Sequence, residues 1–539
     1  MSYDLSYKQF LVIDDFGEFR SSIRRMLWSF NVKDIDDAAN GEAAIELMSN
    51  KSYDVILCDY NLGYNRKDGQ QVFEEARHRN LIKFSTVFMM ITAENSMQMV
   101  MGAVEYQPDD YLIKPFSREV LRTRLERAIK RKSDFELIEL AIANKEYLRA
   151  IALCDQSTLK IPKNIFEYLK LKGDLCITIG DYQAAMVVYE KVLSIRDISW
   201  AKLGIGKVQF YMQDYAAAAE TFRSLVQDNS MYIEAYDWLS KSLVANQSLE
   251  EAQQVLLTAA ELSPKSIFRH KTIGDISFKI NDLDISEKSF KKAIDLGQYS
   301  FFKNPSHYTS LAKVLVEKKT PEGALDVLKD IRKEFKGSAE ASMQASAMEG
   351  IVFKEMNRPE DAKKAIQEAM QLMEESAGSI SEDIAIDLAK VCFELGDKTA
   401  GTRLVQEVVR NNHEDEDVIK KVQAVFKDTQ METEGAKIVS TAQHEIIKTN
   451  NQGVRLVEDG RLEEAIEYFE KAANSQKANK IINANAAEAL LMFIRKNGKD
   501  EQLLLRARQY IERIGKIDPA YNKYQKLLGM YEKLQAESR

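Results

Sequence analysis

A chain of 539 residues is too long for one ordinary hydrophobic core and predicts several domains or a repeat array. Charged residues at 29% and hydrophobic ones at 45% give a globular balance, while a net charge of −8 with pI near 5.6 argues against nucleic acid and anionic membranes as partners. No apolar run reaches the length of a membrane span, the four cysteines (Cys58, Cys154, Cys176, Cys392) form no CxxC pair or disulfide framework, and residues 1–8 lack the basic and apolar regions of a signal peptide, so a reducing cytoplasm is expected.

The N-terminal part alternates short apolar runs with helical patterns. Phe10-Leu11-Val12-Ile13 reads as a strand ending at Asp14-Asp15, and Ile23, Met26 and Leu27 follow at helical spacing. Residues 32–38 form a second, weaker strand, and Asn40-Gly41-Glu42 opens a helix carrying Ala44, Ile45, Leu47 and Met48. Val55-Ile56-Leu57-Cys58 reads as a strand buried on both faces and leads directly into Asp59. Residues 87–91 end at Thr92-Ala93, and Tyr111-Leu112-Ile113 ends at Lys114-Pro115-Phe116. Such alternation predicts an α/β fold with a five-stranded parallel, doubly wound sheet.

Every polar residue just named follows a strand, so Asp14, Asp15, Asp59, Thr92 and Lys114 are expected at one edge of the sheet. Asp59 alone is equally compatible with a helix N-cap. Three crowded carboxylates repel and need a divalent cation with a fixed ammonium to stay ionised. Mg2+ suits an all-oxygen donor set that leaves positions open for water and phosphate oxygens. In such a site Asp59 can attack phosphorus while the metal, Lys114 and Thr92 neutralise charge on the transferring group.

Asp14-Asp15, Asp59, Thr92-Ala93 and Lys114-Pro115, in this order and each after a strand, resemble the receiver domain of two-component response regulators. The resemblance implies a flavodoxin-like fold and phosphorylation of Asp59 by a histidine kinase or phosphotransfer protein. It also implies Mg2+ held by Asp15, Asp59 and the Asn61 carbonyl beside Asp14. Tyr111 matches the family's switch aromatic, which turns inward when Thr92 is drawn to the phosphoryl group. Asn61 and Glu94 match positions that tune dephosphorylation. Residues 62–69 depart from the family pattern, with Gly63 where proline is usual and a longer loop. Residues 117–132 then carry Arg118, Arg122, Arg124, Arg127, Lys130, Arg131 and Lys132 around apolar Val120, Leu121, Leu125, Ala128 and Ile129. This is the pattern of a last receiver helix with a solvated basic face, a face that also suits pairing with an acidic surface in a homodimer.

From about residue 133 the strand signals vanish and a helical pattern recurs. Tyr182 and Ala185 with Tyr189, Tyr215 and Ala218 with Phe222, Leu249 and Ala252 with Leu256, and Leu283 and Ser286 with Phe290 stand 33, 34 and 34 residues apart. Looser copies lie at Ala150, Ala324, Ala362 and Gly401, and a clear one at Ala465 with Phe469. Preceding small residues (Gly173, Gly206, Ser240, Gly274, Ala312, Gly350, Ala389, Gly453) keep the same register. Small residues in register mean closely packed helix pairs, and pairs that cannot bury their own faces must stack.

This pattern resembles the tetratricopeptide repeat (TPR) family, with Pro264 and Pro519 as unit-ending prolines. It implies an all-α TPR superhelical solenoid whose first helices line a groove for a protein or peptide. The expected divisions are a receiver over 1–132, repeats over 133–410, a helical insert over 411–448 and further TPR-like repeats over 449–539. Groove candidates are Lys170, Asp174, Trp200, Lys207, Asp237, Lys241, Lys271, Asp275 and Lys313. Their lysines read either as a site for an acidic segment or as ordinary solvated cations. The five histidines form no metal-ligand motif, and Gly204, Gly206 and Lys207 lack the spacing of a phosphate-binding loop. The expected function is not that of an enzyme with an external substrate, beyond the receiver's own phosphoryl chemistry. It is phosphorylation of Asp59 controlling binding by the repeats. Two alternatives are a phosphate sink or relay whose array docks the kinase, and a constitutive scaffold with a vestigial receiver.

Overall fold

The structure is a computed structural model that describes residues 4–83, 85–93, 108–376, 382–498, 500–518 and 521–536. Glu94 and Pro519 lie outside the described residues. The chain divides into two compact units, Met1–Ile177 with Asp181–Asn304, and Thr178–Gly180 with Pro305–Arg539.

The first unit begins with five parallel strands, β1 (Gln9–Ile13), β2 (Asp34–Ala38), β3 (Val55–Asp59), β4 (Val87–Thr92) and β5 (Asp110–Ile113), in the order β2-β1-β3-β4-β5. That is the flavodoxin-like doubly wound order. Side chains alternate between the two faces. Phe10, Val12, Val55, Leu57, Met89 and Ile91 pack on one face against α1 (Gly17–Trp28) and α4 (Arg118–Ala143). Leu11, Ile13, Ile56, Cys58, Phe88 and Met90 pack on the other against α2 (Gly41–Asn50) and α3 (Gly69–His78). Every residue of β3 and β4 is therefore buried, which explains their unbroken apolar runs.

Helix α4 serves two cores. Leu121, Leu125, Ala128 and Ile129 close the sheet, while Phe135, Ile138 and Ala141 pack with Ala150 and Cys154 in the first helical pair and with Tyr168 of the helix that follows. The second member of that pair is α5 (Tyr147–Lys160). Glu139 sits on this shared helix, half-buried, and its Oε2 finds no hydrogen-bond partner among the described residues. Burial pushes its carboxyl up to about 7, with Asp109 and Glu136 adding to the rise and Lys132 and Arg131 opposing it. The folded state therefore keeps a proton that the unfolded chain releases near 4.5. Stability from this group is complete below that pH and is lost as pH rises through 7. Glu139→Gln is expected to raise the stability of the first unit at pH 8 by about 1–2 kcal/mol, after discounting for partial exposure, and to change little at pH 5. All three tryptophans (Trp28, Trp200, Trp238) lie in this unit, so urea titrations followed by their fluorescence at the two pH values measure it.

Four regular pairs follow: α6 (Ile165–Thr178) with α7 (Tyr182–Ile195), α8 (Ser199–Tyr211) with α9 (Tyr215–Asp228), α10 (Ile233–Ala245) with α11 (Leu249–Leu262), and α12 (Ile267–Lys279) with α13 (Leu283–Gly297). Short turns make each pair antiparallel. Asp181, Asp214 and Asp282 cap the second helices, and Gln213, Gln247 and Asn281 close turns in the left-handed region. The recurring small residue is explained by its neighbour. A Cβ at Gly173, Gly206 or Gly274 would meet the ring of Tyr189, Phe222 or Phe290 at 2.6, 2.5 and 2.8 Å. Each of these aromatics of a second helix packs directly over the glycine of the first.

Among its described residues the second unit is all helical, from α14 (Pro305–Glu317) through α15 (Pro321–Glu334), α16 (Ala339–Glu355), α17 (Pro359–Ser376), α18 (Glu382–Glu394), α19 (Lys398–Asn411), α20 (Glu416–Asp428), α21 (Glu432–Glu458), α22 (Leu462–Ser475), α23 (Lys480–Asn497) and α24 (Glu501–Ile517) to α25 (Asn522–Ala536). Over residues 411–448 the glycine-under-ring device appears again, with a Cβ at Gly435 falling 2.1 Å from Phe426. Helix α21 then continues unbroken to Gly453, which lies under Phe469 of the next pair. Among the described residues no helix is long and apolar enough to cross a membrane.

Candidate functional site

The carboxyl ends of β1, β3, β4 and β5 bring Asp14, Asp59, Thr92 and Lys114 together. Asp14 is buried: its Oδ1 accepts the Phe16 N–H at 2.8 Å and its Oδ2 accepts Lys114 Nζ at 2.7 Å. Lys114 Nζ also reaches Asp59 Oδ1 at 3.0 Å and lies 3.9 Å from the Phe19 ring centroid, a cation–π contact that holds the ammonium in place. The Lys114 N–H donates to the Thr92 carbonyl at 2.7 Å, and the Lys114–Pro115 peptide is cis. Asp15 is exposed, yet one oxygen from each of Asp14, Asp15 and Asp59 lies within 4.8 Å of the others. Asp59 is 8% exposed, and burial pushes its carboxyl up to about 6; Lys114 opposes the shift while Asp14 and Asp15 add to it. Three carboxylates facing one ammonium leave an excess of negative charge, and an all-oxygen set of this kind fits a hard divalent cation.

The loop after β3 explains its own departure from proline. Gly63 has φ +105°, outside the range a proline ring permits, and it curls back so that a Cβ there would lie 3.7 Å from Asp15 Oδ2. Its N–H donates to Asn61 Oδ1 at 3.2 Å, and Asn61 is exposed at the same end of the sheet. Tyr111, paired with Met90 across β4 and β5, packs half-buried against the core on the α2–α3 side. Phe19 and Arg20, whose Nη1 donates to the Asp14 carbonyl at 2.6 Å, complete the surroundings. Neither stands out in the sequence, because the turn between Asp15 and α1 decides which helix residues face the site.

The groove candidates lie on first helices, and most engage neighbouring residues of the repeats. Lys207 pairs with Glu234 at 2.6 Å, and both Lys207 and Lys241 stand over the Trp238 ring, at 5.3 and 4.4 Å. Burial lowers the Lys241 pKa, and burial raises that of Asp174, which accepts the Tyr189 hydroxyl at 2.8 Å with Lys207 and Lys170 nearby. Trp200 meets the edge of Tyr189 at 6.3 Å. Lys271 pairs with Asp275 at 2.6 Å. Asp237 holds buried Arg269 through two contacts, Nε at 2.9 Å and Nη2 at 2.8 Å. Lys313, in the second unit, pairs with Asp387 at 2.6 Å.

A family model described as response regulator receiver domain matches residues 10–126, and models described as tetratricopeptide repeat match residues 167–197, 203–267 and 451–479. Response regulator MprA of Mycobacterium sp. (strain KMS) is 32% identical over 126 residues, 23% of this chain and 52% of the relative. Chemotaxis protein CheY of Pseudomonas aeruginosa is 25% identical over 121 residues, 22% of this chain and 95% of the relative. A solved structure, a thermophilic TPR protein of Thermus thermophilus, is 21% identical with a TM-score of 0.25, covering 33% of this chain and 94% of its own. The chain spans about half the length of the first of these relatives.

Proposed function

We propose, for a chain that joins a response regulator receiver domain to tetratricopeptide repeats, that Asp59 accepts a phosphoryl group and thereby sets how the repeats engage a partner protein. The composition is that of two-component signalling, and the reading places the protein in the cytoplasm with its kinase. The observation that carries it is Asp59, almost buried at the end of β3, paired with Lys114 and crowded by Asp14 and Asp15.

The donor is a phosphohistidine on a histidine kinase or phosphotransfer protein. An Asp59 Oδ–P bond forms as the donor's P–N bond breaks, and the imidazole, protonated on its other nitrogen, leaves neutral. Lys114 keeps Asp59 ionised for attack and then turns its ammonium to a phosphoryl oxygen, and the Thr92 hydroxyl donates to another. Asp14, Asp15, Asp59 and the Asn61 carbonyl would hold Mg2+, which when bound supplies positive charge against the phosphoryl oxygens. Tyr111 follows Thr92 as the switch aromatic. Downstream, Lys170, Trp200, Lys207, Lys241, Lys271 and Lys313 lie among the faces offered to a protein or peptide.

Incubating the wild type with acetyl phosphate and Mg2+ is expected to add one phosphoryl group by intact mass, and Asp59→Asn to add none. Equal uptake by the variant, or none by the wild type, sinks the reading.

A further inference from the structure

Within the first unit, α3 and the loop before it meet the α12–α13 pair along one stripe. Lys265, in the turn ahead of α12, places Nζ 3.3 Å from Asp68 Oδ2 and 4.6 Å from the centroid of the buried Tyr60 ring. Gln71 Nε2 donates to the Leu296 carbonyl at the end of α13 at 3.2 Å. His78 packs against Phe301 with its ring tilted by 40° at 4.6 Å and meets Phe302 edge-on at 5.7 Å. Asp68, Gln71 and His78 are three and seven residues apart, one face of a helix. Between these contacts lies a cavity of about 180 Å3 lined by Arg66, Glu74, Asp295 and Tyr299 among others. The sheet is thus joined to the repeats twice, through unbroken α4 and through this second, noncovalent contact.

The second contact begins one residue beyond Asp59. Tyr60, under the Lys265 ammonium, is its chain neighbour. The Gly69 N–H donates to the Tyr60 carbonyl at 2.9 Å, and Gly69 approaches so closely that a Cβ would fall 2.1 Å from the Asp59 carbonyl oxygen. The start of α3 therefore rests on the backbone of Asp59. The intervening loop, longer than receivers usually carry, runs past Asp15 at Gly63 and presents Asp68 to Lys265 at its far end. The loop therefore connects the surroundings of Asp59 directly to the Asp68–Lys265 pair.

We propose that α3 is latched onto the α12–α13 pair by Lys265, and that phosphorylation of Asp59 opens the latch. This rests on Asp59 being the phospho-acceptor. A partly exposed ion pair with its cation–π contact, one hydrogen bond and the two ring contacts of His78 make a contact weak enough for a local change to undo.

Hydrogen exchange on the full chain, with intact mass read on the same sample, tests this. Acetyl phosphate with Mg2+ is expected to speed exchange at residues 69–78 and 296–302 together, by about fivefold or more. Lys265→Glu is expected to exchange fast at both segments without donor, while still taking up the phosphoryl group. His78→Ser, cutting the opposite end, is expected to do the same. Phosphorylated wild type with unchanged exchange overturns the latch and leaves the acceptor standing, as do Lys265→Glu and His78→Ser proteins that exchange like wild type. A wild type whose mass does not change overturns the acceptor and the switch built on it.

Discussion

Asp237→Ala is expected to destabilise the first unit by roughly 2–4 kcal/mol, the cost of leaving a buried charge without its partner. The Arg269 side chain is 1% exposed, and its guanidinium is satisfied by the two Asp237 oxygens and by the Ser263 carbonyl at 2.9 Å. Removing the carboxylate strands that charge between α10 and α12. The figure sits toward the low end of such losses because Asp237 itself is 32% exposed, so water can enter where it stood. Arg269→Met removes the charge along with the need for it, and is expected to cost about 1 kcal/mol or less. Urea unfolding followed by tryptophan fluorescence separates the two, since Trp238 neighbours Asp237. An Asp237→Ala protein as stable as Arg269→Met would show that the pair is a surface ornament. On the physical account Asp237 binds the repeats to each other, and a partner reaching it from outside must first break a bidentate pair.

The sequence placed Asp237 on a first helix, where it lies, but was silent about Arg269, and the reason is general to this chain. Spacing near 34 residues reveals which positions share a face, because that follows from helix period. It does not reveal which charges meet across pairs, because that depends on the offset between neighbouring helices. Lys207 with Glu234 and Lys313 with Asp387 are partners of this kind. In the sheet the opposite holds. β1, β3 and β4 are legible because burial on both faces demands apolar runs, and a residue following such a strand has only one edge to occupy. Asp14, Asp59 and Lys114 could thus be brought together from sequence, as the structure brings them. β2, with the sequence DIDDA, reads weakly because its polar residues serve an edge, where Lys51 bridges Asp34 and Asp36.

Helix length was harder to read than helix presence. Residues 118–143 contain neither glycine nor proline, and the apolar positions Leu121, Leu125 and Ile129 continue at helical spacing through Ile138. A cluster of Arg and Lys near residue 132 marks the end of a receiver-like pattern without supplying anything that stops a helix. Helix α21 behaves likewise, carrying Gly435 beneath one ring and Gly453 beneath the next. Where one helix serves two packing partners, the repeat period is interrupted although the packing rule is kept.

Gly69→Ala is the substitution whose sign separates local propensity from packing most cleanly. In a helix, alanine normally gains about 0.5–1 kcal/mol over glycine. Gly17, at the start of α1, has only an ordinary 3.6 Å neighbour at its Cβ position, and Gly17→Ala is expected to gain within that range. At Gly69 the Cβ would meet Asp59 O at 2.1 Å, Asp59 C at 3.0 Å and Cys58 Sγ at 3.1 Å, all in the buried strand β3. Backbone cannot swing aside as a flexible side chain can, so α3 or β3 must shift, at a cost of about 3 kcal/mol, the upper end for overpacking. The shift falls on the residue that carries the proposed chemistry. Phosphoryl uptake from acetyl phosphate is therefore expected to slow by roughly tenfold or more, because a misplaced nucleophile loses alignment steeply with distance. Both readouts come from proteins differing by one methyl group, urea midpoints for stability and mass against time for uptake. A Gly69→Ala protein as stable and as reactive as Gly17→Ala would mean that α3 does not rest on Asp59. The rigid link between the acceptor strand and the α3 stripe facing the repeats would then be lost.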